Sequence, residues 1–162
     1  MIKENLQDFL AEAEMNSPIL GIDLGKKTIG IAVSDKQRSV ASGIKTIKRT
    51  KFSVDVKLLI EFINYRKIGG VILGLPKNMN GSEGPRCQST RAFARNLSEQ
   101  IGIPITFWDE RLSSIAAERT LLEANTSRKR RSQVIDYVAA SYILQGALDR
   151  LENIRNNQGK EW

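Results

Sequence analysis

The sequence predicts an α/β protein: a five-stranded mixed sheet, three antiparallel strands followed by two parallel ones, flanked by helices. Two observations carry this. Three short strand-like runs follow one another with brief connections, between residues 19 and 49, and short connections join antiparallel neighbours. After them strand and helix patterns alternate, the signature of parallel strands linked by crossover helices on both sheet faces.

The elements follow in order. Residues 1–17, "MIKENLQDFLAEAEMNS", read as a short amphipathic helix with Ile2, Leu6, Phe9 and Leu10 on one side. Residues 19–24 and 28–34 are the opening strands, joined by a Gly-Lys-Lys turn. Residues 40–49 form a third, with Val40, Ile44 and Ile47 apolar. "FSVDVKLLIEFINYRK" repeats its apolar residues at three and four, and Ser53 is placed to cap it. "GGVILGLP" is a buried strand closed by Pro76, and "KNMNGSEGPR" a polar loop on its carboxyl end. A helix over 86–101 places Phe93, Leu97 and Ile101 in one stripe. "IPITFWDER" is the last strand and "SSIAAERTLLEA" a helix with a Ser start. "NTSRKRRS" reads as a basic linker, "QVIDYVAASYILQGALDRLENI" as a long helix, and residues 152–162 as a polar, fraying tail.

Composition narrows the chemistry. A chain of 162 residues, 41% hydrophobic, can enclose the core of one domain. No apolar run approaches the roughly 18 residues of a membrane span. The N-terminus lacks the basic and apolar regions of a secretion signal, and Cys87 stands alone, so a cytoplasmic protein is expected. The net charge is +7; residues 1–17 carry −3, which leaves +10 on the body. That excess suits a polyanionic partner, of which nucleic acid is the commonest. There is no histidine. Catalytic systems built on Ser-His or Cys-His are excluded, as is a Cys/His zinc site within the chain. Carboxylates, Lys, hydroxyls or a hard metal on oxygen ligands remain.

Three acidic positions stand out. Asp23 lies among Ile22, Leu24 and their neighbours, where an unpaired charge costs several kcal/mol or more. Alternation puts it on one face with Ile19, Gly21 and Gly25, and the next strand has a small face of Thr28, Gly30, Ala32 and Ser34. Together these form a floor of small residues around one carboxylate, which favours a ligand site over a core Asp bonded to a turn. In "WDER", Asp109 and Glu110 point to opposite faces, so only one of them meets Asp23. Glu110 shares a face with Thr106 and Trp108, Asp109 with Ile105 and Phe107. Spacing does not choose between them, and Asp109 alone is explained by capping the next helix. Asp136 lies on the shoulder of the long helix's apolar face, near its expected first turn, where the helix dipole favours an anion.

Three separated carboxylates without histidine suit Mg²⁺ or Mn²⁺, and two such ions roughly 3.5–4 Å apart can drive phosphodiester cleavage. Lys26, Lys27 and the run Arg128, Lys129, Arg130 and Arg131 are candidates for gripping phosphates. So is the loop lip formed by Asn78, Asn80, Ser82 and Arg86.

The blocks "GIDLGKKTIGIAVSD", "VILGLPKNMNGSEGPR", "FWDERLSS" and "RKRRSQVIDYVAASYILQ" resemble the four signature blocks of the YqgF family, in the right order, over residues 18–151. This is a bacterial family of the RNase H-like superfamily, described both as pre-16S ribosomal RNA nucleases and as Holliday junction resolvases. The resemblance implies an RNase H-like five-stranded mixed sheet and an acidic metal site mapping onto Asp23, Glu110 and Asp136. It implies a Mg²⁺-dependent nuclease acting on structured RNA or, as a homodimer, on branched DNA. A basic nucleic-acid-binding module without catalysis is the alternative from a different class. The acidic N-terminal helix lies outside the resemblance. The first block is also similar to the phosphate loop of the actin, heat-shock chaperone and sugar-kinase ATPases. Those close two such domains around ATP, and this chain has length for one, so nucleotide hydrolysis ranks low.

Overall fold

A computed structural model describes residues 1–113 and 128–158. A short helix α1 (Leu6–Glu12) precedes strands β1 (Ile19–Leu24), β2 (Thr28–Ser34) and β3 (Ala41–Lys48). Helix α2 (Phe52–Arg66), strand β4 (Gly70–Leu75), helix α3 (Pro85–Ser98) and strand β5 (Ile105–Asp109) follow. A 3₁₀ turn (Glu110–Leu112) and helix α4 (Arg128–Gln158) complete the described elements. The strand order is β3-β2-β1-β4-β5, with β1–β2 and β2–β3 antiparallel and β1–β4 and β4–β5 parallel. The expected mixed sheet is therefore present. The helix expected over 113–124 falls almost entirely outside the described residues.

Alternation along the strands divides the core in two. On one face Leu20, Ile22, Ile29, Ile31 and Leu73 pack against Val56, Leu59 and Ile63 of α2 and Phe93 and Leu97 of α3. On the other, Ile19, Ala32, Ile72 and Trp108 pack against Ala140, Ile143, Leu144 and Ala147 of α4 and against Phe9 of α1. Burying a large aliphatic or aromatic side chain contributes about 1.5–3 kcal/mol, so both faces are strongly driven together.

Several local expectations need correction. Ile2 is not helical: Asn5 accepts from Asp8 N and starts α1 at Leu6, leaving Ile2 to bridge Ile105 in parallel. Lys3 N donates to Ile105 O at 2.7 Å and Ile105 N to Met1 O at 2.9 Å, so the first residues cover the β5 edge. Ser53 does not cap α2; its N-cap is Lys51, without a side-chain bond. Asp55 reaches back instead, accepting from Thr50 N and, at 2.9 Å, from Thr50 Oγ1. The supposed basic linker is helical from Arg128, because Arg and Lys are good helix formers and nothing after Ser127 breaks the turn. The tail is likewise helical to Gln158, held by buried Leu151 and Ile154. No helix among the described residues is long and apolar enough to cross a membrane.

Candidate active site

The floor of small residues receives a helix. A Cβ built on Gly30 would stand 2.1 Å from the Asp136 carbonyl oxygen. One on Gly21 would stand 2.7 Å from Leu144 Cβ, and one on Gly74 would stand 2.5 Å from Ile143 Cδ1. Glycine at these positions lets α4 lie directly on the strands. Helix backbone thus covers much of the floor of small residues.

The close approach also positions carboxylates. Asp23 is 4% exposed and pairs with Gly30 across the β1–β2 ladder. Its face is that of Gly21, toward α4. Asp136, riding over Gly30, is half-buried, and its Oδ2 accepts from Thr28 Oγ1 at 2.7 Å. Asp136 sits more than two turns inside α4, so the first-turn dipole explanation for it falls away.

Glu110 opens the 3₁₀ turn that follows β5. Its Oε1 lies 2.7 Å from where a Gly74 Cβ would be, which puts this carboxylate over β4 on the α4 side. Asp109 faces the other way. It accepts from Arg111 N at 3.0 Å and caps the 3₁₀ turn, and its carboxylate also accepts from Arg111 Nε and, at 2.7 Å, Nη2. These bonds hold the Asp109 carboxyl below the ordinary carboxylate value. Asp23, Glu110 and Asp136 thus share one sheet face, near the carboxyl ends of β1 and β4, while Asp109 does capping work.

The donor set is all oxygen, which fits a hard divalent cation. Among the described residues, however, no three acidic, cysteine or histidine side chains form a group that could hold a metal ion. Mg²⁺ is commonly bound through one or two carboxylates, with waters and substrate phosphates completing its shell. The chemistry of the donors suits such an open site; among the described residues there is no closed protein cage.

The expected phosphate contacts divide into three groups. Lys26, Lys27 and Arg86 are exposed and available to a backbone. Asn80 Oδ1 accepts from Ser82 N at 3.0 Å and Ser82 Oγ at 2.6 Å, so these two side chains brace their own loop. Arg128, Lys129, Arg130 and Arg131 open α4, and their side chains lie outside the described residues. Three contributors were not singled out from sequence. Thr28 orients Asp136. Arg49 Nη1 donates to Gly25 O at 2.7 Å and holds the β1–β2 turn. Arg111 Nη1 donates to Met79 O at 3.3 Å, tying the loop after β4 to the end of β5. Arg111, beside the acidic pair, and Thr28, on the small face of β2, had a visible signal; Arg49 had none.

Residues 17–150 match the family described as "RuvX: Holliday junction resolvase". A Roseobacter denitrificans protein named "Putative pre-16S rRNA nuclease" is 61% identical, the match covering 99% of this chain and 100% of that protein. A Ruegeria pomeroyi protein of the same name is also 61% identical, over 95% of this chain and 100% of its own length. In fold, the chain is similar to Thermus thermophilus RuvC solved with a Holliday junction substrate, with a TM-score of 0.50 and 11% identity over 82% of this chain and 93% of that one.

Proposed function

Since the chain belongs to the RuvX family, we propose that it is a nuclease hydrolysing phosphodiester bonds, acting at the 5′ end of pre-16S ribosomal RNA. The relatives matched along their whole length are named "Putative pre-16S rRNA nuclease". The observation that carries the catalytic reading is the seating of α4 on Gly30, which brings Asp136 to the same sheet face as buried Asp23.

In this reading Asp23, Glu110 and Asp136 are the catalytic carboxylates and would hold Mg²⁺ or Mn²⁺. A divalent ion bound there supplies Lewis-acid activation of water and neutralises charge at the scissile phosphate. The chain's own residues do the rest. Thr28 fixes the rotamer of Asp136 through its hydroxyl. Gly74 leaves room for the Glu110 carboxylate over β4. Exposed Lys26, Lys27 and Arg86 draw in the phosphate backbone, and Arg128, Lys129, Arg130 and Arg131 add positive charge at the start of α4. Asn80 and Ser82 brace the loop that follows β4 and would present it to the nucleic acid. The positive body makes this binding salt-dependent.

The family's description favours a second substrate, four-way DNA, which calls for a twofold dimer cutting symmetrically. One experiment covers both. The purified protein is incubated with 5′-extended pre-16S RNA and with a four-way DNA junction across a Mg²⁺ and Mn²⁺ titration, and its mass in solution is measured by light scattering. Metal-dependent cleavage of the RNA, lost in Asp23→Asn with binding retained within about threefold, is the expected result. Cleavage of the junction alone by a dimer would transfer the assignment to resolution. Full activity of Asp23→Asn would overturn the assigned site. Salt-sensitive binding with no cleavage of either substrate would leave a non-catalytic module.

A further inference from the structure

The end of the sheet away from the carboxylates carries a separate concentration of positive charge. Arg38 sits in the β2–β3 connection and is only 9% exposed. Its Nε donates to Ser17 O at 3.0 Å, and its Nη2 donates to Glu14 O and, at 3.2 Å, to Ser17 Oγ. Every one of these acceptors is neutral. A buried guanidinium ordinarily meets a carboxylate or phosphate, whose planar oxygens match its fork of donors. Among the described residues no salt bridge joins Arg38 or Arg155 to a carboxylate. Glu152 lines a smaller adjoining hollow with both arginines without reaching salt-bridge distance of either.

Arg38, Arg155 and Lys36 all line one cavity of about 330 Å³, whose wall is completed by apolar Leu10, Ala13 and Met15 and by Asn16 and Gln37. Among the described residues no acidic side chain lines it. Burial, and next the positive field of Arg155, hold the Arg38 guanidinium below its ordinary pKa. Three cations therefore line one hollow that has no acidic side chain among its described lining, beside an apolar wall and in a volume at the lower end of the range for small-ligand sites.

We infer that Lys36, Arg38 and Arg155 form a phosphate-binding pocket at this end of the molecule. It is distinct from the candidate active site: Arg155 is about 28 Å along α4 from Asp136 at 1.5 Å per residue. The ligand is a phosphate group, presented either by a nucleotide-sized small molecule, whose body rests on the apolar wall, or by the backbone of bound nucleic acid. The inference does not depend on the nuclease reading.

The test follows the Arg38 Nε–H signal by NMR in the full-length protein. Inorganic phosphate and uridine 5′-monophosphate are titrated at constant ionic strength, with chloride as the control anion. Arg38 also tethers residues 14–17, so the variant is Lys36→Ala/Arg155→Ala, which changes two exposed residues. The expected result is a saturable shift with phosphate and the mononucleotide, absent with chloride and at least tenfold weaker in the variant. A linear, unsaturable shift, or equal affinity in the variant, would overturn the pocket. A third arm titrates a short single-stranded RNA. If its affinity falls at least threefold in the variant, the pocket takes backbone phosphate. If RNA affinity is unchanged while mononucleotide affinity falls, it takes a free phosphate-bearing ligand.

Discussion

Thr28 Oγ1 donates to Asp136 Oδ2 at 2.7 Å, joining the first residue of β2 to a helix residue far along the chain. The bond fixes the carboxylate that α4 delivers to the sheet. Thr28→Val keeps the side-chain shape and removes the donor. It is expected to cost about 1 kcal/mol in urea denaturation. It should also lower cleavage of pre-16S RNA at least tenfold while leaving RNA affinity within threefold. Thr28→Ser should restore most of the activity, and wild-type rates in Thr28→Val would remove Thr28 from the site.

Gly30 is the seat of α4. Alanine there puts a methyl group 2.1 Å from the Asp136 carbonyl oxygen, so the helix must lift. Overpacking of this kind costs about 1–3 kcal/mol. Gly102→Ala is the control, since nothing lies within 4 Å of its Cβ position. The denaturation midpoint should fall clearly for Gly30→Ala and stay near wild type for Gly102→Ala.

The Asp109–Arg111 clamp makes the loop after β4 sensitive to acid. Asp109 is held below the ordinary carboxylate value, first by hydrogen bonds from the Arg111 side chain. A depressed folded pKa means the ionised form is favoured in the fold. The contribution is complete above the unfolded value of about 3.9 and is lost as pH falls through the lower folded value. NMR signals of Met79 and Gly81, which border Arg111, should hold steady from neutral pH down to about 4.5 and move together below about 4. Arg111→Gln should shift those signals at neutral pH.

Cys87 is fully buried in the first turn of α3, and burial, followed by the charge of Glu83, pushes its thiol upward. The folded thiol thus stays protonated where an unfolded one, at about 8.5, ionises. Stability is unaffected below that value and declines as pH rises through it. At pH 8 iodoacetamide should label Cys87 at least a hundredfold more slowly in the native protein than in urea, read by mass spectrometry. Rapid native labelling would contradict its placement.

How much of this was visible in the sequence varies by element for physical reasons. β1 and β2 are apolar runs set off by a Gly-Lys-Lys turn, and their ends coincide with those read from pattern alone. The antiparallel pairing that opposes Asp23 to Gly30 followed from that short turn. Where α4 begins was misread, because "RKRR" has no apolar period and charge runs resemble linkers, yet arginine and lysine propagate helices well. That error moved Asp136 to a helix end it does not occupy. The glycines of β1 and β2 signalled close approach but not of what, since the visitor is a helix from the other end of the chain. Alternation separated Asp109 from Glu110 without saying which faced Asp23; the choice depends on the 3₁₀ turn, a short element without periodicity. Arg38 gave no sign at all, because its partners are two backbone carbonyls and the Ser17 hydroxyl, 21 to 24 residues earlier in the chain.

The bridge between Ile2 and Ile105 bears on how the protein is made. Ile2 has no bridge partner until the fifth strand, which holds Ile105, has been synthesised. At about 5–20 residues per second that is a wait of several seconds. The border strand acquires its cover only when the segment around Ile2 folds back onto it. Contacts this distant in sequence form slowly, so closure of this seam belongs among the late events of folding.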